Sequence, residues 1–220
     1  MKVLIFGATG MVGQGVLREC LLAPEVAQVL VLGRNPSGKQ HPKLYEIIHT
    51  DLYDYSNIEA ELTGVDACFY CLGVSSVGMK EADYAHITYD MTMAAATVLA
   101  RLNPNMVFTY VSGAGTDSTE KGPVMWARVK GRTENALLRL PLRAYMFRPG
   151  IIQPLHGVRS KTRLYQFFYT LAAPLFPLLR AIFPQQITTT EQVGKAMLIV
   201  ARRGSDKKLL ESKDLSLIHI

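Results

Sequence analysis

Apolar residues are distributed along this chain in two alternating modes. Short, nearly unbroken runs rich in Val, Ile, Leu and Phe predict strands near residues 2–6, 27–32, 44–49, 65–71, 105–111 and 142–147. Between them, apolar positions recur every three to four residues and predict helices near 12–22, 55–62, 81–102, 124–139 and 190–202. Val3-Leu4-Ile5-Phe6 offers no polar face, as expected of a strand covered on both sides. Such alternation implies an α/β fold, a doubly wound parallel sheet. Right-handed crossovers then carry every strand's C-terminal end to one rim, so Gly7, Arg34, Asp51, Gly73, Ser112 and Pro149 gather there.

No repeat, low-complexity tract or interdomain linker breaks the pattern. The 220 residues are 49% hydrophobic and 19% charged, which suits one domain, 1–220, with a self-sufficient core. A net charge of +6 is scattered over helices and loops without a long basic run or interleaved aromatics, so a nucleic-acid partner is not expected. Cys20, Cys68 and Cys71 lie in apolar runs. Cys68-Phe-Tyr-Cys71 has redox-motif spacing but falls in a strand, where neighbours alternate faces, so buried thiols are expected. With no signal-like start, this points to a reducing, cytoplasmic setting. The five histidines form neither a Ser-His-Asp order nor a metal-ligand spacing, which argues against a hydrolase or metalloenzyme.

Glycines 7, 10 and 13 follow the first strand and open the first helix. Gly7 permits a tight turn, and Gly10 and Gly13 let a pyrophosphate approach backbone N–H groups at the positive helix end. This is a nucleotide-binding turn in the context the motif requires. Arg34 ends the second strand, where an acidic residue would hold a free ribose 2′-hydroxyl and an arginine suits a 2′-phosphate. NADP is therefore expected over NAD.

The fifth strand closes on Tyr110-Val-Ser112-Gly-Ala-Gly, and Lys130 follows in Met125-Trp-Ala-Arg-Val-Lys130-Gly-Arg-Thr-Glu. Together with Gly7-x-x-Gly10-x-x-Gly13, Thr50-Asp51-Leu52, Leu72-Gly73 and Arg148-Pro149-Gly150, this ordered set resembles the short-chain dehydrogenase/reductase superfamily, and within it the small atypical members similar to the Tat-interacting oxidoreductase-like proteins. The resemblance covers most of the chain and implies a single NAD(P)-binding Rossmann domain. It places Gly7, Thr9, Gly10, Met11, Val12 and Gly13 around the cofactor phosphates, Asp51 and Leu52 beside the adenine, and Leu72 and Gly73 by the adenine-side ribose. Lys130 would hold the nicotinamide ribose, Pro149 would border the same end, and Ser112 would polarise a substrate carbonyl.

The family's proton donor is a tyrosine four residues before the lysine, and position 126 here is tryptophan. An indole N–H can donate a hydrogen bond but cannot exchange its proton near neutral pH. Tyr84 and Tyr89 at the start of the 81–102 helix, Tyr110 on the strand face of Ser112, and His156 in the following loop are candidate substitutes. Each reads more readily as interface filling or, for His156, as an exposed loop residue.

Residues 151–190 form the expected substrate and lid region. Leu164 to Pro184 is apolar but broken by Pro174, Pro177 and Arg180, which disfavours a membrane span. Three readings stay open: a two-helix lid over a small apolar substrate, a homo-oligomer contact, or peripheral membrane contact assisted by Arg159, Lys161 and Arg163. Thr188-x-x-Glu191 reads as a capping box for the 190–202 helix, and the tail 207–220 as a terminal strand. Two functions remain: an NADP-dependent oxidoreductase for an apolar carbonyl or alcohol, favoured by Ser112 and Lys130, and a catalytically weak NADP-sensing regulatory or scaffold protein, favoured by Trp126.

Overall fold

The two-faced strand Lys2–Phe6, β1, sits at the centre of the molecule because it has apolar side chains to give to both sides. In the computed structural model, which describes residues 1–158 and 186–217, Val3 and Ile5 join a core on one face of the sheet while Leu4 and Phe6 join another on the opposite face. β2 (Gln28–Gly33) and β3 (Leu44–Ile48) extend the sheet on one side. β4 (Ala67–Tyr70), β5 (Val107–Val111) and β6 (Arg143–Arg148) extend it on the other. After β7 (Ile151–Gln153) and β8 (Ile187–Thr189), which pair only with each other among the described residues, β9 (Leu209–Glu211) completes the edge. The order is β3-β2-β1-β4-β5-β6-β9, and every pairing is parallel. The strand order reverses between β1 and β4, the place where a doubly wound sheet opens a crevice for a ligand.

Helices cover both faces. α1 (Met11–Leu22) and α5 (Thr190–Arg203) bury Val16, Val193 and Val200 against the Val3–Ile5 face. On the other face lie α2 (Glu81–Ala85), a π-helical turn (His86–Asp90) and α3 (Met91–Leu102), together with α4 (Met125–Arg139); Leu99 and Leu137 pack there with Tyr55 and Leu62. α6 (Ser212–Leu217) ends the described chain.

Several sequence expectations change in the structure. The helix expected over 55–62 is a single 3₁₀ turn, Ser56–Ile58, followed by turns. Tyr55, Ile58 and Leu62 do have helical spacing and face the core. The stretch is too short to repay helix nucleation, and Asp54 Oδ1 takes the Ser56 N–H at 2.9 Å in a competing local turn. The long 81–102 helix forms but is widened by its π turn. The capping box lies one residue later than Thr188-x-x-Glu191 suggested. Strand β8 continues through Thr189, whose Oγ1 accepts the Gln192 N–H at 3.0 Å while Gln192 Oε1 accepts the Thr189 N–H at 3.0 Å. The tail contributes a strand, but only of three residues, before α6 takes over. The β7–β8 pair, which periodicity did not anticipate, brings the two ends of the 151–190 region side by side. The apolar stretch 164–184 and Arg159, Lys161 and Arg163 lie outside the described residues.

Candidate active site

The glycine turn is built by steric exclusion. Gly7 adopts φ +76°, and a Cβ on it would lie 2.7 Å from the Cys71 carbonyl carbon. A Cβ on Gly13 would lie 2.1 Å from the Gly7 oxygen. The turn is closed by the Gly10 N–H donating to that oxygen at 2.9 Å and by the Gln14 N–H donating to the Gly10 carbonyl at 2.8 Å. Gly10 caps α1 without a side-chain hydrogen bond, and the first turn of α1 carries no acidic residue. The Met11 and Val12 amides at this helix end therefore meet neither a capping side chain nor a repelling carboxylate. A turn packed too closely to admit a Cβ at position 7 or 13, set at a helix N-terminus with no side-chain cap, fits a dinucleotide's pyrophosphate. The contact between Gly7 and the Cys71–Leu72 peptide also brings Leu72 to this turn. Thr9 is held through its carbonyl, which accepts from Gln14 Nε2 at 3.1 Å.

Next to the turn on the same rim, Arg34, Thr50, Asp51, Leu52, Tyr53 and Met91 line a cleft of about 320 Å³. Arg34 and Asp51 are exposed, whereas Leu52 is buried beneath them. Tyr53 and His86 were not anticipated. Their rings stack at 4.6 Å with planes 8° apart, and the Tyr53 hydroxyl donates to the His86 carbonyl at 3.3 Å. Asp90 holds His86 Nδ1 at 3.0 Å. The only hint in the sequence is an aromatic residue directly after Asp51-Leu52.

Ser112, Lys130 and Trp126 converge at the exits of β5 and β6. The hydrogen bonding between these strands continues past their ends: the Ser112 N–H donates to the Phe147 carbonyl at 2.9 Å, and the Ala114 N–H to the Pro149 carbonyl at 2.8 Å. Ser112 Oγ donates to the same Phe147 oxygen at 3.2 Å. α4 closes on this loop at Gly131, where a Cβ would lie 1.8 Å from the Asp117 carbonyl oxygen. That approach lets Lys130 Nζ donate to the Ser112 carbonyl oxygen. Burial of the amine holds Lys130 at about 8, well below an ordinary lysine, and the Glu134 carboxylate only partly offsets this. The edge of the Trp126 ring faces Gly115, with Cη2 at 3.5 Å from where a Cβ would stand.

The substitute proton donors fare differently. Tyr84 and Tyr110 are buried, and burial raises both phenols above their ordinary value, that of Tyr110 far above it. Tyr89 lies under the Arg132 guanidinium, 4.1 Å from its ring centre. His156 does not join this site: its Nε2 pairs with Glu191 on α5 at 2.7 Å. One group that spacing alone did not single out is Glu134. It is fully buried and holds Arg148, at the end of β6, through a 3.0 Å bond from Nε and a second bond from the guanidinium terminus.

Residues 3–123 match the model of the NAD dependent epimerase/dehydratase family. Similar proteins include rat Protein HTATIP2, 25% identical over 155 residues that span 69% of this chain and 62% of that protein's length. Another is Protein FMP52, mitochondrial, of Meyerozyma guilliermondii, 23% identical over 91% of this chain and 85% of the relative. Among solved structures, a Streptomyces venezuelae dTDP-glucose 4,6-dehydratase with NAD bound superposes with a TM-score of 0.70 at 15% identity, covering 99% of this chain and 80% of that one. A Burkholderia thailandensis oxidoreductase of the short-chain dehydrogenase/reductase family gives 0.65 at 17% identity, over 98% and 92% of the two chains. These two likenesses concern the fold. With the family model covering more than half its length, a Rossmann-type sheet and a tight glycine turn at the start of its first helix, this chain belongs to the NAD dependent epimerase/dehydratase family.

Proposed function

We propose that the protein is an NADP(H)-dependent oxidoreductase of the short-chain dehydrogenase/reductase type, acting on an apolar carbonyl or the corresponding alcohol, with Trp126 where the usual tyrosine stands. The observation that carries this reading is the contact between Lys130 and Ser112 on the rim that also holds the glycine turn. When bound, the cofactor supplies or accepts hydride. The protein's part is to fix the reacting groups. The α1 N-terminus and Gly7–Gly13 hold the pyrophosphate; Asp51 and Leu52 border the adenine; Arg34 meets the 2′-phosphate; Lys130 orients the nicotinamide-side ribose. Ser112 Oγ turns from the Phe147 carbonyl to donate to a substrate carbonyl oxygen. Trp126 contributes an apolar wall on the substrate side, in keeping with an apolar ligand.

Arg34 supports NADP over NAD because a guanidinium–phosphate pair contributes about 1.5–3 kcal/mol, a preference of about 10- to 100-fold. Titration calorimetry tests this: NADPH binds more tightly than NADH, and Arg34→Ala removes most of the difference while NADH affinity stays. Equal affinities in the parent protein overturn it. Free cysteines at 20, 68 and 71 favour a reducing, cytoplasmic setting, and among the described residues no helix is long and apolar enough to cross a membrane.

Trp126 supports a second reading, in which the protein binds NADP without turnover and reports cofactor state to a partner. A panel of apolar aldehydes, ketones and quinones separates the two. Cofactor binding with no NADPH oxidation on any of them favours the sensor.

A further inference from the structure

We propose that Lys130, rather than a phenol, is the group that exchanges a proton with the substrate oxygen. The inference rests on the oxidoreductase reading above and begins from what contacts Ser112. Among the described residues, Lys130 is the ionisable side chain hydrogen-bonded to that serine, through the Ser112 carbonyl oxygen. Trp126, four residues earlier on the same helix, has no proton to exchange near neutral pH.

Among the described residues, the neighbouring ionisable groups are committed elsewhere. On α4 itself, Glu134 is fully buried in its two-bond pair with Arg148 of β6, which also bonds Ser118 Oγ at 2.5 Å. Arg128 holds Glu81 of α2 at 2.6 Å, and Arg132 covers Tyr89. In the loop before α4, Asp117 accepts the backbone N–H groups of Thr119 and Gly122, at 2.9 and 2.6 Å. Tyr110 and Tyr84 are buried with their phenols pushed up. His156 is paired to Glu191 on α5.

The environment also suits Lys130 to the task. A lysine that titrates near 8 can both give and regain a proton close to physiological pH, which an ordinary lysine does poorly. In the reductive direction, hydride from the bound reduced nicotinamide and a proton from Lys130 Nζ convert the carbonyl to an alcohol. The carbonyl π bond breaks, one C–H and one O–H bond form, and the ammonium becomes a neutral amine that regains its proton from solvent. Ser112 Oγ polarises the carbonyl oxygen meanwhile. In the oxidative direction the neutral amine takes the alcohol proton.

The experiment has a cofactor-free arm and a kinetic arm. In the first, the lysines of the intact protein are ¹³C-dimethylated and followed by NMR against pH. One resonance titrating near pH 8, absent from Lys130→Arg, is expected; if every lysine titrates in the ordinary range, the proposal falls. In the second, the pH dependence of NADPH-linked kcat/KM is measured on the carbonyl panel. For reduction the rate falls as pH rises through about 8, because the donor must be protonated. Lys130→Arg, with its NADPH affinity measured in parallel, removes that limb and lowers turnover by about 100- to 10,000-fold. Lys130→Cys alkylated with bromoethylamine restores turnover, with the limb moved to lower pH by its more acidic amine.

A Lys130→Arg variant that binds NADPH and keeps both rate and limb overturns the proposal and leaves the oxidoreductase reading standing. So does Tyr89→Phe if it abolishes the limb while Lys130→Arg retains it. NADPH binding with no turnover by the parent protein overturns both.

Discussion

Arg148, the last residue of β6, and Glu134, in the third turn of α4, form a buried two-bond ion pair that ties the sixth strand to the helix carrying Lys130 and Trp126. Glu134 is wholly inaccessible, and Arg148 reaches outward to Glu211 at 3.5 Å. Arg148→Ala leaves an uncompensated carboxylate in the core and is expected to cost about 3–5 kcal/mol of folding stability. Chemical denaturation measures it. The double variant Arg148→Met/Glu134→Met, which removes both charges, should recover most of that loss; if it is no better than Arg148→Ala, the pair is not the source of the effect.

Gly13→Ala tests the cofactor cradle. The added methyl would meet the Gly7 oxygen at 2.1 Å, so the turn must move. Overpacking of about 1–3 kcal/mol is expected. If all of it falls on the bound turn, NADPH affinity drops by roughly 10- to 100-fold, read by calorimetry. Unchanged affinity would place the pyrophosphate elsewhere.

Trp126→Tyr puts a phenol one helical turn before Lys130. Turnover of apolar carbonyls by NADPH should rise above the parent's, since a tyrosine beside a cationic amine gains a usable pKa. A loss of activity would instead show that the indole packing over Gly115 shapes the site.

Glu191 gives a pH prediction away from the rim. His156 and then Lys195 hold its carboxyl at about 2, below the ordinary 4.5. A depressed carboxyl stabilises the fold fully above its unfolded value and loses that contribution as pH falls. The stabilisation should therefore be complete above pH 4.5 and fade toward pH 2. Glu191→Gln should lower the Tm at pH 6 and have a much smaller effect near pH 2, by calorimetric melting. An equal effect at both pH values would mean that the residue acts through packing.

Periodicity and punctuation alone made the architecture legible. β1 is buried on both faces because Val3, Leu4, Ile5 and Phe6 are all apolar, and Gly7 and Gly13 mark the turn because only glycine tolerates the backbone approaches found there. Strand-by-strand order likewise carried Arg34, Asp51, Gly73 and Ser112 to one rim, since parallel crossovers leave no other place for them. These are local properties, or consequences of one global rule.

What required the folded chain was every relationship set by packing between distant segments. The capping box moved because β8, paired with the distant β7, extends through Thr189. The stack of Tyr53 on His86 joins residues 33 apart in sequence, and the burial that holds Lys130 near 8 depends on α4 closing over the Ser112 loop at Gly131. Spacing along a chain reports which face a side chain takes. It does not report which groups from other elements will meet it there, and that meeting sets desolvation, partners and proton affinity.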